Sequence, residues 1–569
     1  MDKSDVELLP VNPVTLEVIR HGIVAIANQV DANITRTAFS PYIYEYKDFS
    51  VGLVSPIGEL VSQSTGAIPI FVADSVAAAV RDGLEIHGRE RLLRGDVVVC
   101  NHPAVQGQHL NNTVMYTPIY AGVGQSKLVG FFAINVHWID VGGAAIGSSS
   151  SHTSDIFGEG LQLRSVKLWR EGKPNDDVYS IIRSNSRFPT ELMGDVAAQL
   201  AGCLLGRDLV AGLAEKYGVD LYLRAIGTIL DDCEAEARRQ VSAVKDGIYE
   251  AESFLDNDGL GSTPISVNIR VIVQGDSMTV DYSNIAEETK GPINSGYFGG
   301  GQTAARVAFK YLVATRMVAN EGTFRPLKII LPPGKFLSAS STAPMGHYSA
   351  PLPTVIDTII KALQKAMPER ATGAHFGTFS GFGFKGRLPE TGGLFRCHDS
   401  PHGGWGASGL QDGSGPFRTM AHGDTRLIPV ELQEASYPFR IEEFSLREDS
   451  GGPGIFRGGP GMRKRYRLLA DCTLIANFDR VKCAPWGIAG GHDGATGKIT
   501  IVRADASEPQ VVYKGEYPLK ANDVIWVESA GGGGYGNPAR RARERVQKDL
   551  LFGYVTLEAA RRDYGLEST

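Results

Sequence analysis

Two short apolar runs, Val97–Cys100 and residues 128–136, constrain this chain more than any other feature. Runs of this length that do not alternate apolar with polar read as strands buried inside a layered fold. Each is tied to a histidine. His109 lies in Q-G-Q-H-L-N-N, in the connection after the first run, and His137 ends the second in N-V-H-W-I-D-V-G-G. Ends of buried strands are where a rigid scaffold displays side chains for chemistry.

Helical patterns surround these runs. Residues 13–39 carry Val18, Ile19, Ile23, Ile26, Val30 and Ile34 at helical spacing, with Pro13 suited to a first turn. Residues 47–61 alternate and contain Gly58, which predicts a β-hairpin opened by Asp48. Residues 71–87 predict an amphipathic helix, residues 188–217 a helix or helical pair, and residues 220–243 a further long helix. From Tyr249 the period becomes two, and Gly275-Asp276 turns a hairpin between residues 265–273 and 278–282. Residues 353–367 predict a helix, residues 420–537 read as all-β with Gly turns, and residues 539–565 as a helical hairpin. The fold class is therefore mixed α/β and α+β, multidomain. The predicted units are an N-terminal mixed domain carrying the site (1–245), an α+β middle domain (246–420), a β-rich domain (421–538) and a helical hairpin (539–569).

Composition narrows the function. A net charge of -6 with scattered Lys and Arg argues against a nucleic-acid surface. No long uninterrupted apolar run marks a membrane span, and the opening M-D-K-S-D-V-E-L-L-P lacks the pattern of a signal peptide, so a cytoplasmic protein is expected. The six Cys show no C-x-x-C spacing and read as reduced core thiols. The Gly-rich G-Y-F-G-G-G-Q before a predicted helix is neither a dinucleotide fingerprint nor a Walker A sequence, and reads as a device for close packing.

Two imidazoles and a carboxylate make a set that divalent metals accept. His109, His137 and Asp48 are the candidates, with Asp140, three residues after His137, in reserve. Hydrogen-bonded histidines at strand ends would have the same appearance, so residue type leaves both readings open. His102 ranks lower because Pro103 restricts its backbone, and His152 in G-S-S-S-S-H reads as solvated. The small, polar loop that holds Gly142, Gly143 and Gly147 reads as flexible, either wrapping a substrate or linking elements.

Many motifs in one order resemble the hydantoinase B/oxoprolinase family. They include P-V-T-L-E-V-I-R-H-G, Y-K-D-F-S, G-Q-H-L-N-N, H-W-I-D-V-G-G-A-A-I-G-S and S-D-I-F-G-E-G-L-Q-L-R-S-V-K-L. Beyond residue 440 the motifs D-S-G-G-P-G-I-F-R-G-G-P-G-M, P-W-G-I-A-G-G and G-G-G-G-Y-G-N-P extend the likeness. The resemblance implies a subunit of an ATP-dependent hetero-oligomer. The partner would be a hydantoinase A-like subunit that binds ATP and Mg, consistent with the missing phosphate loop here, and no biotin would be used. It implies either ring opening of 5-oxoproline, N-methylhydantoin or lactams, or carboxylation of a ketone with bicarbonate. It also implies a metal site, Zn or Mn, on Asp48, His109, Asn112 and His137. Asn112 departs from the family's acidic residue, and Trp138 replaces a second imidazole. The loss of one negative charge favours an acetophenone-type ketone carboxylase, which could work with donors that merely hold carboxylate or CO2. The alternatives are a cyclic-amide hydrolase with a metal-activated water, and a non-catalytic structural subunit.

Overall fold

The computed structural model describes residues 11–148, 150–379, 381–506 and 508–566, without the side chain of Val72. The opening decapeptide lies outside the described residues.

Seven antiparallel strands form the sheet that matters most: β1 (Phe49–Val54), β2 (Leu60–Gln63), β3 (Val97–Cys100), β4 (Asn112–Ala121), β5 (Lys127–His137), β6 (Val166–Arg170) and β7 (Lys173–Pro174), in the order β2-β1-β5-β4-β3-β6-β7. β3 and β5 are the two apolar runs, and their lack of alternation has a direct cause. Alternate side chains of β5 enter two different cores, Phe132, Ile134 and Val136 on one face and Phe131 and Ala133 on the other. Helices Pro13–Thr37 and Pro189–Tyr217 cover the first face, and helix Ser75–His87 the second. Asn12 caps the first helix by accepting from the Val14 amide, with Pro13 in the opening turn.

Residues 188–217 are one helix, and it is long and apolar enough to cross a membrane by length and composition. Here it lies on the sheet. The Gln199 amide donates to the carbonyls of Thr113 and Ile134 at 2.9 Å each and accepts from the Trp138 indole at 3.0 Å.

The hairpin predicted after residue 245 is present. Ile265–Gln274 pairs with Ser277–Asp281 and with Gly247–Leu255, and Leu327–Ile330 adds a parallel edge. Alternate residues of Ile265–Gln274 are buried, because this sheet has helix Leu352–Ala362 against only one face. Towards the C-terminus a pair of sheets packs face to face. Gly381–Arg387, Leu394–Asp399, Cys472–Asn477 and Gly515–Leu519 form one, and five strands from Phe439–Arg447 to Val524–Glu528 form the other. Phe382, Phe384, Tyr466, Leu474, Ile501 and Val527 fill the space between them. The first two of these strands lie in a stretch that reads only as Gly- and aromatic-rich. Residues 420–537 also hold a helix, Val430–Ser436, which corrects the all-β reading of that stretch. Helices Arg543–Leu551 and Leu557–Tyr564 are the terminal hairpin. All six cysteines are free thiols.

Glycine permits two close approaches. A Cβ on Gly107, whose φ is +64°, would lie 2.5 Å from the Gly296 Cα, and one on Gly299 would lie 2.4 Å from the Gly107 carbonyl oxygen. The G-Y-F-G-G-G-Q segment is thus a packing surface for the backbone that leads into His109.

Candidate functional site

Strand register assembles the site. Asn112, the first residue of β4, pairs across the ladder with His137, the last residue of β5. On the other side of β5, Phe49 pairs with Val136, and the His137 amide donates to the Asp48 carbonyl at 3.0 Å. Asp48, His137 and Asn112 therefore stand side by side at one end of three neighbouring strands. His109 is set three residues before Asn112 in the turn that enters β4, where its carbonyl accepts from the Asn112 amide at 3.2 Å.

The side chains converge on one atom. The Asn112 Oδ1 is 2.8 Å from the His109 Nε2 and 3.3 Å from the His137 Nδ1. The His137 Nδ1 is 3.8 Å from the Asp48 Oδ2, and the two imidazole centroids are 4.9 Å apart. The orientation of the Asn112 amide follows from its neighbours. Gln108 donates its Nε2 to the Ile70 carbonyl at 3.2 Å, which leaves its Oε1 to accept from the Asn112 Nδ2 at 3.0 Å. The same Nδ2 donates to the Tyr348 hydroxyl at 2.9 Å. The amide oxygen can then only face the two imidazoles.

Burial governs the ionisation. It pushes His109 down to about 4 and His137 well below the ordinary histidine value, the latter helped by the neighbouring imidazoles and Arg396. Burial favours the neutral form of both rings, and the nitrogen of each that faces the Asn112 oxygen carries the proton and donates to it. Burial also pushes Asp48 up to about 7, against the opposing charge of Arg418.

Residues from the other half of the chain close the pocket, and no spacing pattern marks them. His398, on Leu394–Asp399, stands 6.1 Å from the Tyr42 ring and 5.5 Å from that of Tyr46. Tyr348 stands edge-on to His109 at 5.0 Å. His347 and His398 are each pushed down to about 3 by burial.

The remaining candidates do other work. Asp140 accepts from the amides of Gly142, Gly147 and Arg187 and pairs with the Arg187 guanidinium at 2.9 Å, so both its oxygens are committed to its own loop. Arg187 also donates to the carbonyls of Gly142, Gly143 and Ala145. This corrects the expectation of a flexible loop: a buried ion pair and a set of charge-assisted hydrogen bonds pin it. His102 accepts from the Ala104 amide and caps the short helix Pro103–Gln106. His152 is exposed. Trp138 is fully buried, and its indole ties the sheet to helix Pro189–Tyr217.

The donor set can be tested for fit to a divalent ion. Bonds of ~2.0–2.2 Å to four tetrahedral donors put those donors roughly 3.3–3.6 Å apart. Of the three separations, 3.3 Å lies in that range, 2.8 Å is shorter and 3.8 Å longer. The Gly346 carbonyl lies 3.4 Å from the His109 Nδ1, where an outer partner of a coordinating imidazole belongs. Among the described residues no cluster of three or more imidazole, thiol and carboxylate donors is close enough to hold an ion. Asp48, His109 and His137 as placed therefore do not form an ion-holding set, and the Asn112 oxygen adds a fourth donor without drawing the other three together.

Comparison with known proteins places the sequence and the fold. An uncharacterised protein of Methanocaldococcus jannaschii is 31% identical over 97% of this chain and 95% of its own length. The caprolactamase subunit beta of Pseudomonas jessenii is 29% identical over 98% of this chain and 96% of its own. The crystal structure of that ATP-dependent caprolactamase superposes with a TM-score of 0.89 over 98% of this chain and 97% of the other, at 26% identity. Nucleotide-free acetone carboxylase, at 17% identity, shares the fold with a TM-score of 0.89 over 98% of this chain and 80% of the other. A family model, Hydantoinase B/oxoprolinase, matches residues 12–538, and the chain belongs to that family.

Proposed function

We propose that this chain is the site-bearing subunit of an ATP-dependent enzyme that opens a cyclic amide of the hydantoin, 5-oxoproline or lactam class. The partner would be a hydantoinase A-like subunit that binds ATP and Mg, and the assembly would work in the cytoplasm without biotin. The observation that carries this reading is the meeting of two imidazoles on one oriented amide oxygen, with the Asp48 carboxyl 3.8 Å from the second imidazole. Similarity over nearly the whole chain to a caprolactamase subunit supports it.

In this reading Asp48, His109, Asn112 and His137 would hold Zn or Mn. Such an ion supplies Lewis acidity toward a carbonyl and a lowered pKa for water. The protein's own role is separate. His109 and His137 are held neutral and oriented by the N–H groups they donate to the Asn112 oxygen, protons that an ion would have to displace, and Gln108 and Tyr348 keep that oxygen aimed inward. Where it is not engaged by an ion, Asp48, raised by burial to about 7, can take a proton from an attacking water and return it to the departing amide nitrogen. ATP chemistry on the partner would activate the amide, a poor electrophile on its own.

Ketone carboxylation is the second reading, and Asn112 favours it. A neutral amide in place of a carboxylate lowers the charge offered to an ion, and carboxylation of an activated ketone could proceed with groups that orient bicarbonate-derived carboxylate. The two readings separate in one assay. The protein, combined with its ATP-binding partner, is supplied with ATP and either a lactam or hydantoin, or acetophenone with bicarbonate. Ring opening supports the first reading, and consumption of ketone only with bicarbonate replaces it by the second. Full activity of both His109→Ala and His137→Ala complexes would reduce the protein to a structural subunit.

A further inference from the structure

The strand-end cluster meets, from the C-terminal half, a buried positive charge with no counter-ion. Arg396 sits on Leu394–Asp399 and is 8% exposed. Its Nη1 donates to the Cys397 carbonyl at 3.1 Å. Among the described residues it makes no other hydrogen bond, and no carboxylate is within ion-pair distance. Arg418, 5% exposed, also lacks an ion pair, but it is satisfied by the carbonyls of Ser400, Thr425 and Arg426. Arg396 therefore has a fork of unused donors where Arg418 does not. None of the Arg396 nitrogens is among the wholly buried atoms without a partner, so the free donors lie on the solvent-accessible side of the slot, where an arriving anion can meet them.

The slot around Arg396 is built rather than incidental. A Cβ on Gly383, the cross-strand partner of His398, would lie 2.4 Å from the Arg396 Nη1. A Cβ on Gly147, in the loop clasped by Arg187, would lie 3.0 Å from the Arg396 Nε. The guanidinium and its stem thus pass between two glycines from separate elements, and one of those elements is tied to the strand-end cluster through Asn111, which donates to the carbonyls of Trp138 and Gly147. The positive charge of Arg396 reaches His137, His347 and His398, and adds to burial in keeping all three neutral. Among the charges that reach these rings, Asp399 is paired with Lys464 and Lys514 with Asp479, which leaves the guanidiniums of Arg396 and Arg418 against the Asp48 carboxyl.

We propose that Arg396 is the anion-holding and specificity-determining residue of this pocket, receiving a planar carboxylate-type oxyanion beside the His109–His137 pair. Guanidinium and carboxylate match as two parallel hydrogen bonds, which fixes orientation as well as charge. The oxyanion has two sources, the carboxylate carried by a cyclic amide such as 5-oxoproline, or bicarbonate. The inference rests on the functional reading above, because it assumes that the strand-end cluster is where substrate sits.

The test is calorimetric binding to the full-length protein without ATP. The probes are 5-oxoproline, its neutral analogue 2-pyrrolidone, and bicarbonate. Arg396→Gln should weaken binding of 5-oxoproline or of bicarbonate at least tenfold and leave 2-pyrrolidone unchanged, with Arg396→Lys in between. The arm that responds identifies the source. Equal weakening of charged and neutral probes, or no oxyanion binding by the unaltered protein, overturns the proposal. Thermal unfolding of both variants reports folding, and a variant that unfolds early is replaced by Arg396→Lys alone, judged on the ratio of 5-oxoproline to 2-pyrrolidone affinity. The two readings fail separately. Arg396-dependent oxyanion binding in a complex with no ATP-dependent turnover would remove the enzymatic reading and keep the site, whereas ATP-dependent opening of 5-oxoproline that is indifferent to Arg396 would do the reverse.

Discussion

At the scale of single residues, Asn112 and Gln108 act as a matched pair. Gln108 is anchored to the Ile70 carbonyl, and its acceptor oxygen requires a donor opposite, which the Asn112 Nδ2 supplies. Asn112→Asp would bring two acceptors together, so Gln108 must turn over and give up Ile70. The expected outcome is a loss of about 1–2 kcal/mol in stability by denaturant unfolding. The added charge should tighten Zn or Mn binding at least tenfold in chelator competition, and unchanged affinity would count against these four residues as an ion-holding set. Glu159 offers a second residue-scale test. It is 1% exposed, its Oε1 accepts from the amides of Met345 and Gly346 at 2.8 Å each, and burial pushes its pKa up to about 8 from 4.5. The folded state binds the proton more tightly than the unfolded state does. The stabilisation is therefore complete below about 4.5 and is lost as pH rises toward about 8. Glu159→Gln should remove that slope, so the melting-temperature gap between variant and parent should shift in favour of the variant from pH 5 to pH 8.5, by the equivalent of roughly 1–3 kcal/mol.

Among the elements, the turn that delivers His109 is held by contacts with no room for a side chain. Gly107 has a positive φ and lies against Gly296 and Gly299. Gly107→Ala combines backbone strain with a clash against main chain that cannot swing away. The expected cost is about 2–4 kcal/mol by chemical denaturation. Any folded fraction should bind metal more weakly, because His109 is displaced from Asn112. A stable variant with intact metal binding would show that this packing does not position the site. Strand ends explain why the other ligand candidates could be read from the sequence. His137 and Asp48 each lie at the edge of a recognisable strand pattern, and a ladder between β1 and β5 is enough to bring them together. Asp140 lies as near in sequence but past the strand end, where the backbone turns and its carboxylate meets Arg187 instead.

For the whole molecule, a single apolar cluster runs from Leu16 to Ile488, so the strand-end cluster is braced by distant regions of the protein. The long helices, the buried strands of the first sheet and the hairpin after residue 245 follow from hydrophobic period, which is a local property. The sequence also lacks a Walker A motif. Catalysis is therefore expected to need the partner: the purified protein should show no ATP-dependent turnover until an ATP-binding subunit is added, and turnover by this subunit alone would refute that dependence. Sequence by itself determined the long helices, the buried strands of the first sheet, the placing of His109 and His137 beside those strands, and the family resemblance, because periodicity and ordered motifs are written along one dimension. Only the tertiary structure decided that the Asn112 oxygen faces both imidazoles, that Asp140 serves a loop, and that Arg396 and His398 arrive from more than 250 residues away. Contacts of that kind depend on how sheets and helices pack across the core, and no local pattern of residues encodes which distant side chain will fill the space opposite.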